Sequence, residues 1–291
     1  MESKPIELAD LPLVADRLRR FPPQTSEQTF TNLYVWRYHR PIRLTEVGDA
    51  LVLLELRGEE WSVLGPPVGD VDPAELVSAL RDSGITTFGR LTSDVAESLR
   101  GAGLHVTADP DNSDYVYARS DLAELAGRKY HRKKNLVNRC LSAYECEYCE
   151  VTPDVLDEVQ DMNERWGAAR ELEPSLGLAE EYWALREAFD HFEDFGLIGG
   201  AVRVAGQIEA FSLGEALNQT TAVVHFEKAM TEFQGLYQLM NQWFCKHGLA
   251  RFEFVNREQD LGIPGLRQAK ESYHPHHMVD KFVARSTPEG G

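Results

Sequence analysis

Apolar residues recur at helical spacing over Leu8–Phe21, and a second helix, capped at Ser26, is predicted to run toward Tyr38. The stripe Phe30, Leu33, Tyr34 and Trp36 should be its core face. Three short β-prone runs follow, Ile42–Val47, Leu51–Leu56 and Trp61–Leu64, separated by Gly48-Asp49 and Gly58, the punctuation of hairpins. A helix over Pro73–Asp82, a strand near Thr86–Phe88, a helix over Ser93–Arg100 and a strand at Tyr115–Tyr117 complete the order ααβββαβαβ. The segment Thr107–Ser120 opens with turn-forming Asp, Pro and Asn residues, so the chain is cut at Ala118 into domains 1–118 and 119–291.

Past the cut, helices over Asp121–Ala126 and Arg128–Tyr144 precede a strand, Glu147–Val151, and two acidic helices, Pro153–Gly167 and Ala179–Phe192. From Leu197 a three-strand meander turns at Ala205-Gly206 and near Asn218-Gln219. A helix over Leu236–His247, a strand over Arg251–Val255, a helix over Gly265–Glu271 and a strand over Met278–Val283 finish the chain. The second half thus repeats the element order of the first without visible sequence repetition. Helix pair, antiparallel meander, helix, strand, helix, strand is the order of the GNAT acyltransferase fold. The expected class is therefore α/β (α+β), with two tandem GNAT-like domains, each a mixed sheet flanked by helices, and the candidate site in the second. Fold alone assigns no chemistry.

Composition narrows the partners. The chain has 291 residues, and no apolar run approaches the ~20 needed to cross a bilayer. Its start has neither a basic segment nor an apolar core nor a cleavage site, so a cytoplasmic location is expected. The net charge of −17 argues against coating nucleic acid or anionic membrane with the whole surface; an anion site must be local. The 4 cysteines suit a reducing compartment.

One segment reverses the field. GRKYHRKKNLVNR, Gly127–Arg139, holds Arg128, Lys129, Arg132, Lys133, Lys134 and Arg139 and no acidic residue. On a helix Arg128, Arg132 and Asn135 share one stripe, as do Lys129 and Lys133, while Leu136 and Val137 face a core with Leu141. Such a helix can hold polyphosphate or the acceptor end of a tRNA, with arginine as a bidentate fork and lysine as a point charge. The competing reading is a solvated face neutralised by the acidic stretch 153–194.

A second cluster follows the strand ending at Val255. The turn forced by Gly262 and Pro264-Gly265 places Asn256, Arg257, Glu258 and Asp260 near a strand end and Arg267 and Lys270 on the next helix. These charges clamp a substrate or form an ordinary salt-bridged loop. On the last meander strand Val223, His225 and Glu227 share one face, and Val224, Phe226 and Lys228 the other. Glu227 is a candidate acid, base or ammonium anchor, and Lys228 an oxyanion stabiliser; paired structural charges are the alternative. Tyr273 is a candidate proton donor to a leaving group, or a core tyrosine.

Cofactor signals are poor. CoA-using GNAT proteins cradle pyrophosphate on a loop of the pattern Gln/Arg-x-x-Gly-x-Gly/Ala, and the matching positions here are Glu232, Gly235 and Tyr237. A carboxylate and a bulky ring would stand where phosphate arrives, so acetyl-CoA is disfavoured and no cofactor is expected. Cys146-x-x-Cys149 lacks a second ligand pair, and His274, His276 and His277 read as solvated or half-buried, so no metal is expected.

The ordered set GRKYHRKKNLVNR, HFEKA, QGLYQLMNQWF and NREQDLGIPGLRQAKESYHP, with FTNLYVWR near the start, resembles the phosphatidylglycerol lysyltransferase C-terminal-domain family in its stand-alone form. The resemblance implies a tandem GNAT fold in a superfamily where many members take an aminoacyl group from aminoacyl-tRNA. Lipid-modifying relatives carry a multi-helix membrane portion that has no counterpart here, and some soluble relatives aminoacylate small molecules. The expected partners are accordingly tRNA and a small-molecule or lipid acceptor. The expected activity is acyl transfer: Glu227 or Asp260 orients or deprotonates the nucleophile, and Lys228, Arg257 or Lys270 stabilises the oxyanion. The alternatives are a non-catalytic binding or regulatory module for an anionic ligand and an acyl-CoA-dependent N-acyltransferase.

Overall fold

The computed structural model describes residues 2–169 and 176–286. A short strand β1 (Lys4–Pro5) and a 3-10 turn precede α1 (Leu11–Arg20) and α2 (Phe30–Val35). The cap of α2 is Thr29, whose hydroxyl accepts the Asn32 N–H at 3.1 Å, not the expected Ser26. Ser26 instead donates its N–H and hydroxyl to Asp114, at 2.8 and 2.9 Å. A carboxylate distant in sequence outcompetes the local cap. The meander β2 (Ile42–Val47), β3 (Ala50–Arg57) and β4 (Glu60–Leu64) is as expected. Then come α3 (Pro73–Arg81), β5 (Thr87–Leu91), α4 (Ser93–Gly101) and β6 (His105–Ala108). The sequence reading contains neither β1 nor β6, because both are mostly exposed and lack the apolar alternation of a half-buried strand.

The chain continues through β7 (Asp114–Ala118) and α5 (Arg119–Glu124). A 3-10 turn over Arg128–Tyr130 and α6 (His131–Ala143) take the place of one continuous helix. They are followed by β8 (Cys146–Val151), α7 (Leu156–Ala169), α8 (Leu176–Asp190), and the meander β9 (Ile198–Val204), β10 (Gln207–Ala216) and β11 (Thr221–Ala229). The last elements are α9 (Leu236–Trp243), widening into a π turn over Phe244–Gly248, β12 (Phe254–Asn256), α10 (Pro264–Glu271), β13 (His277–Val279) and β14 (Phe282–Arg285). Two strands thus stand where one was expected over Met278–Val283.

Two sheets result, in the orders β1-β2-β3-β4-β5-β14-β6 and β13-β7-β12-β11-β10-β9-β8. Each joins an antiparallel meander to one parallel step, β4 to β5 in the first and β11 to β12 in the second. The place beside that parallel step is taken in each sheet by a strand from the far half of the sequence. β14 pairs antiparallel with β5 and β6, and β7 pairs antiparallel with β12. The compact units follow the sheets. One contains the residues up to Asp114, Gln259–Arg267 and those from Met278 onward; the other contains Tyr115–Glu258 and Gln268–His277. A single cut at Ala118 would assign β7 and β14 each to the other sheet. Strand propensity marks a strand but does not name its partner.

In the first unit Leu76, Val77 and Leu80 of α3 and Ala96 and Leu99 of α4 cover Val52, Leu54, Val63, Phe88, Leu91 and Ala284. In the second, Leu236, Leu239, Met240 and Phe244 are fully buried, as are Phe211 and Leu213 of β10. β10 is bulged between Leu213 and Gly214, where an added Cβ would lie 2.3 Å from the Val223 carbonyl oxygen. Among the described residues no helix is long and apolar enough to cross a membrane.

Candidate functional site

The candidate site of the second unit begins where two strands part. β12 pairs with β11 only over Thr221–Val223, whereas β11 runs on to Ala229. His225 and Glu227, two and four residues beyond that pairing and on one face of β11, are met by side chains from the chain that leaves β12. Glu227 Oε1 accepts Arg257 Nη2 at 2.9 Å, and its Oε2 accepts Asn241 Nδ2, from α9, at 3.2 Å. Both partners of the ion pair are mostly buried, with 13% and 15% of the side chain exposed.

Two tyrosines wall this pair. The Arg257 guanidinium lies 5.1 Å from the Tyr273 ring centre and 5.9 Å from that of Tyr117. Burial raises both phenols, so they stay protonated and can donate. Over the Tyr273 ring, at 4.0 Å, lies the ammonium of Lys133 from α6. Lys133 is half-buried, and burial, then the charges of Arg257 and Arg132, depress its pKa to about 8. An amine poised near neutrality is what proton transfer from a nucleophile requires.

The rest of the loop is built to hold Arg257. Asn256 is fully buried, and its Oδ1 accepts the Glu258 N–H at 2.8 Å. Lys270 Nζ donates to the carbonyl oxygens of Arg257 and Glu258, the latter at 3.1 Å. Glu258 itself has a left-handed backbone, φ +57°, which a non-glycine residue keeps only under such restraint. His225 completes the clamp, its ring nitrogens 2.8 Å from Glu258 Oε1 and 2.9 Å from Glu215 Oε1. Burial opposes its charge, but the hydrogen bonds to Glu215 and Glu258 outweigh burial and raise its pKa to about 9. Because the folded value lies above the ordinary ~6.5, the contribution is complete below about pH 6.5 and is lost as pH rises toward 9. We expect wild-type protein to lose on the order of 2–3 kcal/mol between these limits that His225→Gln does not lose, measured by urea unfolding across that range.

The structure separates several residues that the sequence grouped. Lys228 is on the opposite face of β11, its ammonium 2.7 Å from Glu181 Oε2 and 3.6 Å from the Trp166 ring centre, so it is not beside Glu227. Asp260 and Arg267 belong to the first unit. There Asp260, 1% exposed, accepts Arg267 Nε at 2.7 Å and the Gly262 N–H at 2.8 Å, and Arg267 also reaches Asp111 at 2.7 Å. These two residues staple a turn. Asn256 and Lys270 do the same in the second unit. Asn241, Tyr117 and Glu215 went unnoticed in the sequence; only His225, on the face of Glu227, was readable as a neighbour.

Apart from Lys133, the basic segment keeps its cations in water. Arg128, Arg132, Lys134, Asn135 and Arg139 are exposed, and Lys129 pairs with Asp121 at 3.1 Å. Among the described residues no ion pair joins this segment to the acidic helices. Two of their carboxylates turn elsewhere, Glu158 to Arg203 at 2.8 Å and Glu181 to Lys228. At the start of α9, where CoA-binding proteins of this fold class receive pyrophosphate, Gly235 has φ +91°, and a Cβ there would lie 2.2 Å from the Leu136 carbonyl oxygen. Helix α6 therefore lies directly against that helix start, with a carbonyl oxygen facing it.

Two mixed sheets with a parted strand pair define the class: this is a tandem GNAT-like acyltransferase fold. The chain belongs to the family described as phosphatidylglycerol lysyltransferase, C-terminal, which it matches over residues 18–285. It resembles a conserved protein of unknown function from Bacteroides thetaiotaomicron, with 32% identity and TM-score 0.91 over 99% of this chain and 100% of the other. L-PGS from Bacillus licheniformis shares the fold at 14% identity and TM-score 0.68, covering 96% of this chain and 92% of that one. So does FemX, at 10% identity and TM-score 0.61, covering 99% and 98%. Comparison with curated proteins gave no match.

Proposed function

We propose that the second unit transfers an aminoacyl group from aminoacyl-tRNA to a small-molecule or lipid acceptor. The observation that carries this reading is Lys133. One helix, α6, offers exposed cations to an RNA backbone and turns one half-buried amine of depressed pKa toward Tyr273, Arg257 and Glu227. Membership of the family supports the donor class, and dependence on aminoacyl-tRNA would place the protein in the cytoplasm.

The chemistry needs no cofactor. An acceptor N–H or O–H gives its proton to neutral Lys133 as the heteroatom bonds to the ester carbonyl carbon. The carbonyl oxygen becomes an oxyanion beside Arg257. Collapse breaks the bond to the ribose oxygen, which takes a proton from Tyr273, and Lys133 returns a proton to the phenolate. Glu227 holds Arg257 in place, and Lys270, Asn256 and His225 hold the loop that carries it. The ester is already activated, so positioning supplies much of the acceleration. The position of α6 against Gly235 supports the view that acetyl-CoA is not the donor.

The test is transfer of radiolabelled amino acid from a mixture of charged tRNAs into small molecules and lipids extracted from bacteria. Labelled product that depends on the protein is expected, as is tRNA binding that weakens steeply with salt. No product and no salt-sensitive binding would refute the proposal. Binding without product would favour a non-catalytic module.

A further inference from the structure

Two thiols that the mechanism leaves unused meet where α6 ends. Cys140, fully buried in the last turn of that helix, and Cys146, half-buried at the first position of β8, are both free, and their sulfur atoms lie 3.9 Å apart. Bonded sulfurs lie at ~2.0 Å, so the gap is roughly 2 Å from that of a disulfide. Cys149, three positions further along β8, faces the other way. Burial raises both thiols of the pair, Cys140 to about 12, which keeps them protonated at rest. The hydrogen bond from Cys140 favours the thiolate of Cys146, the more accessible of the two, and so makes Cys146 the attacking sulfur.

A bond between them would act on α6. The start of β8 is held in its sheet, where Cys146 pairs with Val204 and the Glu145 carbonyl oxygen accepts the Ala205 N–H at 3.0 Å. Whatever closure side-chain rotation leaves over therefore falls on the helix. Lys133 stands seven residues before Cys140, on the same face, about 10 Å along the axis at 1.5 Å per residue. The burial of Val137 between them marks that face as the inner one. A helix moves as a rigid element, so a pull at Cys140 shifts the Lys133 amine over Tyr273.

We infer that Cys140 and Cys146 form an oxidation site that hydrogen peroxide closes into a disulfide, displacing Lys133 and slowing transfer. The Cys146 thiolate bonds to one peroxide oxygen as the O–O bond breaks, leaving a sulfenic acid and, with the thiol proton, one water. The Cys140 sulfur then bonds to the Cys146 sulfur, the S–O bond breaks, and the oxygen leaves with the second thiol proton as another water. The two sulfurs together lose two electrons, which the peroxide oxygens gain. The effect on rate rests on the aminoacyl-transfer reading, whereas the disulfide does not.

The test treats the full chain with hydrogen peroxide, blocks remaining thiols with N-ethylmaleimide and weighs the protein and its peptides. Wild type and Cys149→Ser should each form an internal bond that dithiothreitol reverses. A glutamate-specific protease, which cuts after Glu145, should leave the peptides of Cys140 and Cys146 linked. Cys140→Ser and Cys146→Ser should form no such link, with melting curves confirming the fold. Oxidised wild type should transfer about 10- to 100-fold more slowly than reduced protein, and Cys146→Ser should transfer equally before and after peroxide. Absence of the linked peptides from wild type overturns the site. Linked peptides with an unchanged rate overturn the displacement of Lys133. If reduced protein transfers nothing, the transfer reading and the effect on rate fall, while linked peptides still establish the oxidation site.

Discussion

Lys281→Ala is expected to destabilise the first unit by about 3–5 kcal/mol. Lys281 is fully buried, and its ammonium lies 2.6 Å from both Glu27 Oε2 and Asp114 Oδ1. Arg90 adds a second buried cation, 3.0 Å from Glu27 Oε1. Two cations and two carboxylates thus close a neutral cluster. Burial opposes the charge of Glu27, but Lys281 and Arg90 prevail and hold its pKa below the ordinary carboxylate value. Without Lys281 the cluster keeps an uncompensated negative charge in the interior, which costs more than the original pair contributed. The loss should shrink as pH falls, because the orphaned carboxylates can then take up protons. Urea unfolding near neutral pH and in mild acid measures both effects. Lys281→Met with Asp114→Asn, which removes a charge of each sign, should recover part of the lost stability. An alanine variant as stable as wild type at neutral pH would contradict this account.

The second large effect concerns transfer. Arg257→Ala should lower the single-turnover rate about 100- to 1000-fold, the usual consequence of removing a preorganised donor to an oxyanion. It also leaves Glu227 with Asn241 alone, so Arg257→Lys, which retains charge without the bidentate fork, should recover only part of the rate. Lys133→Met isolates the proton transfer. In wild type the rate should climb as pH rises through about 8 and then level, because the neutral amine is the active form. In the variant the rate should be low and lack that inflection, while tRNA affinity should change little, since the other cations of the segment remain exposed. A wild-type rate that falls through the same pH range would mean that the ammonium, not the amine, is the working species.

Much of the scaffold was legible in the chain. Alternation in the meander put Glu227 with His225 and across the strand from Lys228, and the structure keeps that division. The charge run Gly127–Arg139 was readable as a helix with an apolar side; on α6 Val137 is buried and Leu136 half-buried, whereas Leu141, expected with them, is exposed, and Cys140 takes the inward place instead. The resemblance of ordered motifs named the family from short segments. The loop after β12 was harder. Its six polar groups looked equivalent in sequence, yet Arg257 faces Glu227, Lys270 and Asn256 bind backbone, and Asp260 and Arg267 bind each other in a different unit. No periodicity operates in a turn with left-handed residues at Glu258, Leu261 and Gly262, so side-chain direction there could not be inferred.

The sequence by itself determined most of the elements, their order and the location of charge, but not the exposed strands β1 and β6 or the break between β13 and β14, because helix and strand periods, turn residues and charge runs act over a few neighbours. The tertiary structure alone decided which strands pair and how each titratable group is surrounded. β7 and β14 leave the halves in which they lie in sequence, Asp114 draws Ser26 away from the helix it was expected to cap, and Tyr273 places an aromatic ring under Lys133. Pairing partners and dielectric surroundings come from residues far apart along the chain, and a proton affinity is set by whatever packing brings to that atom.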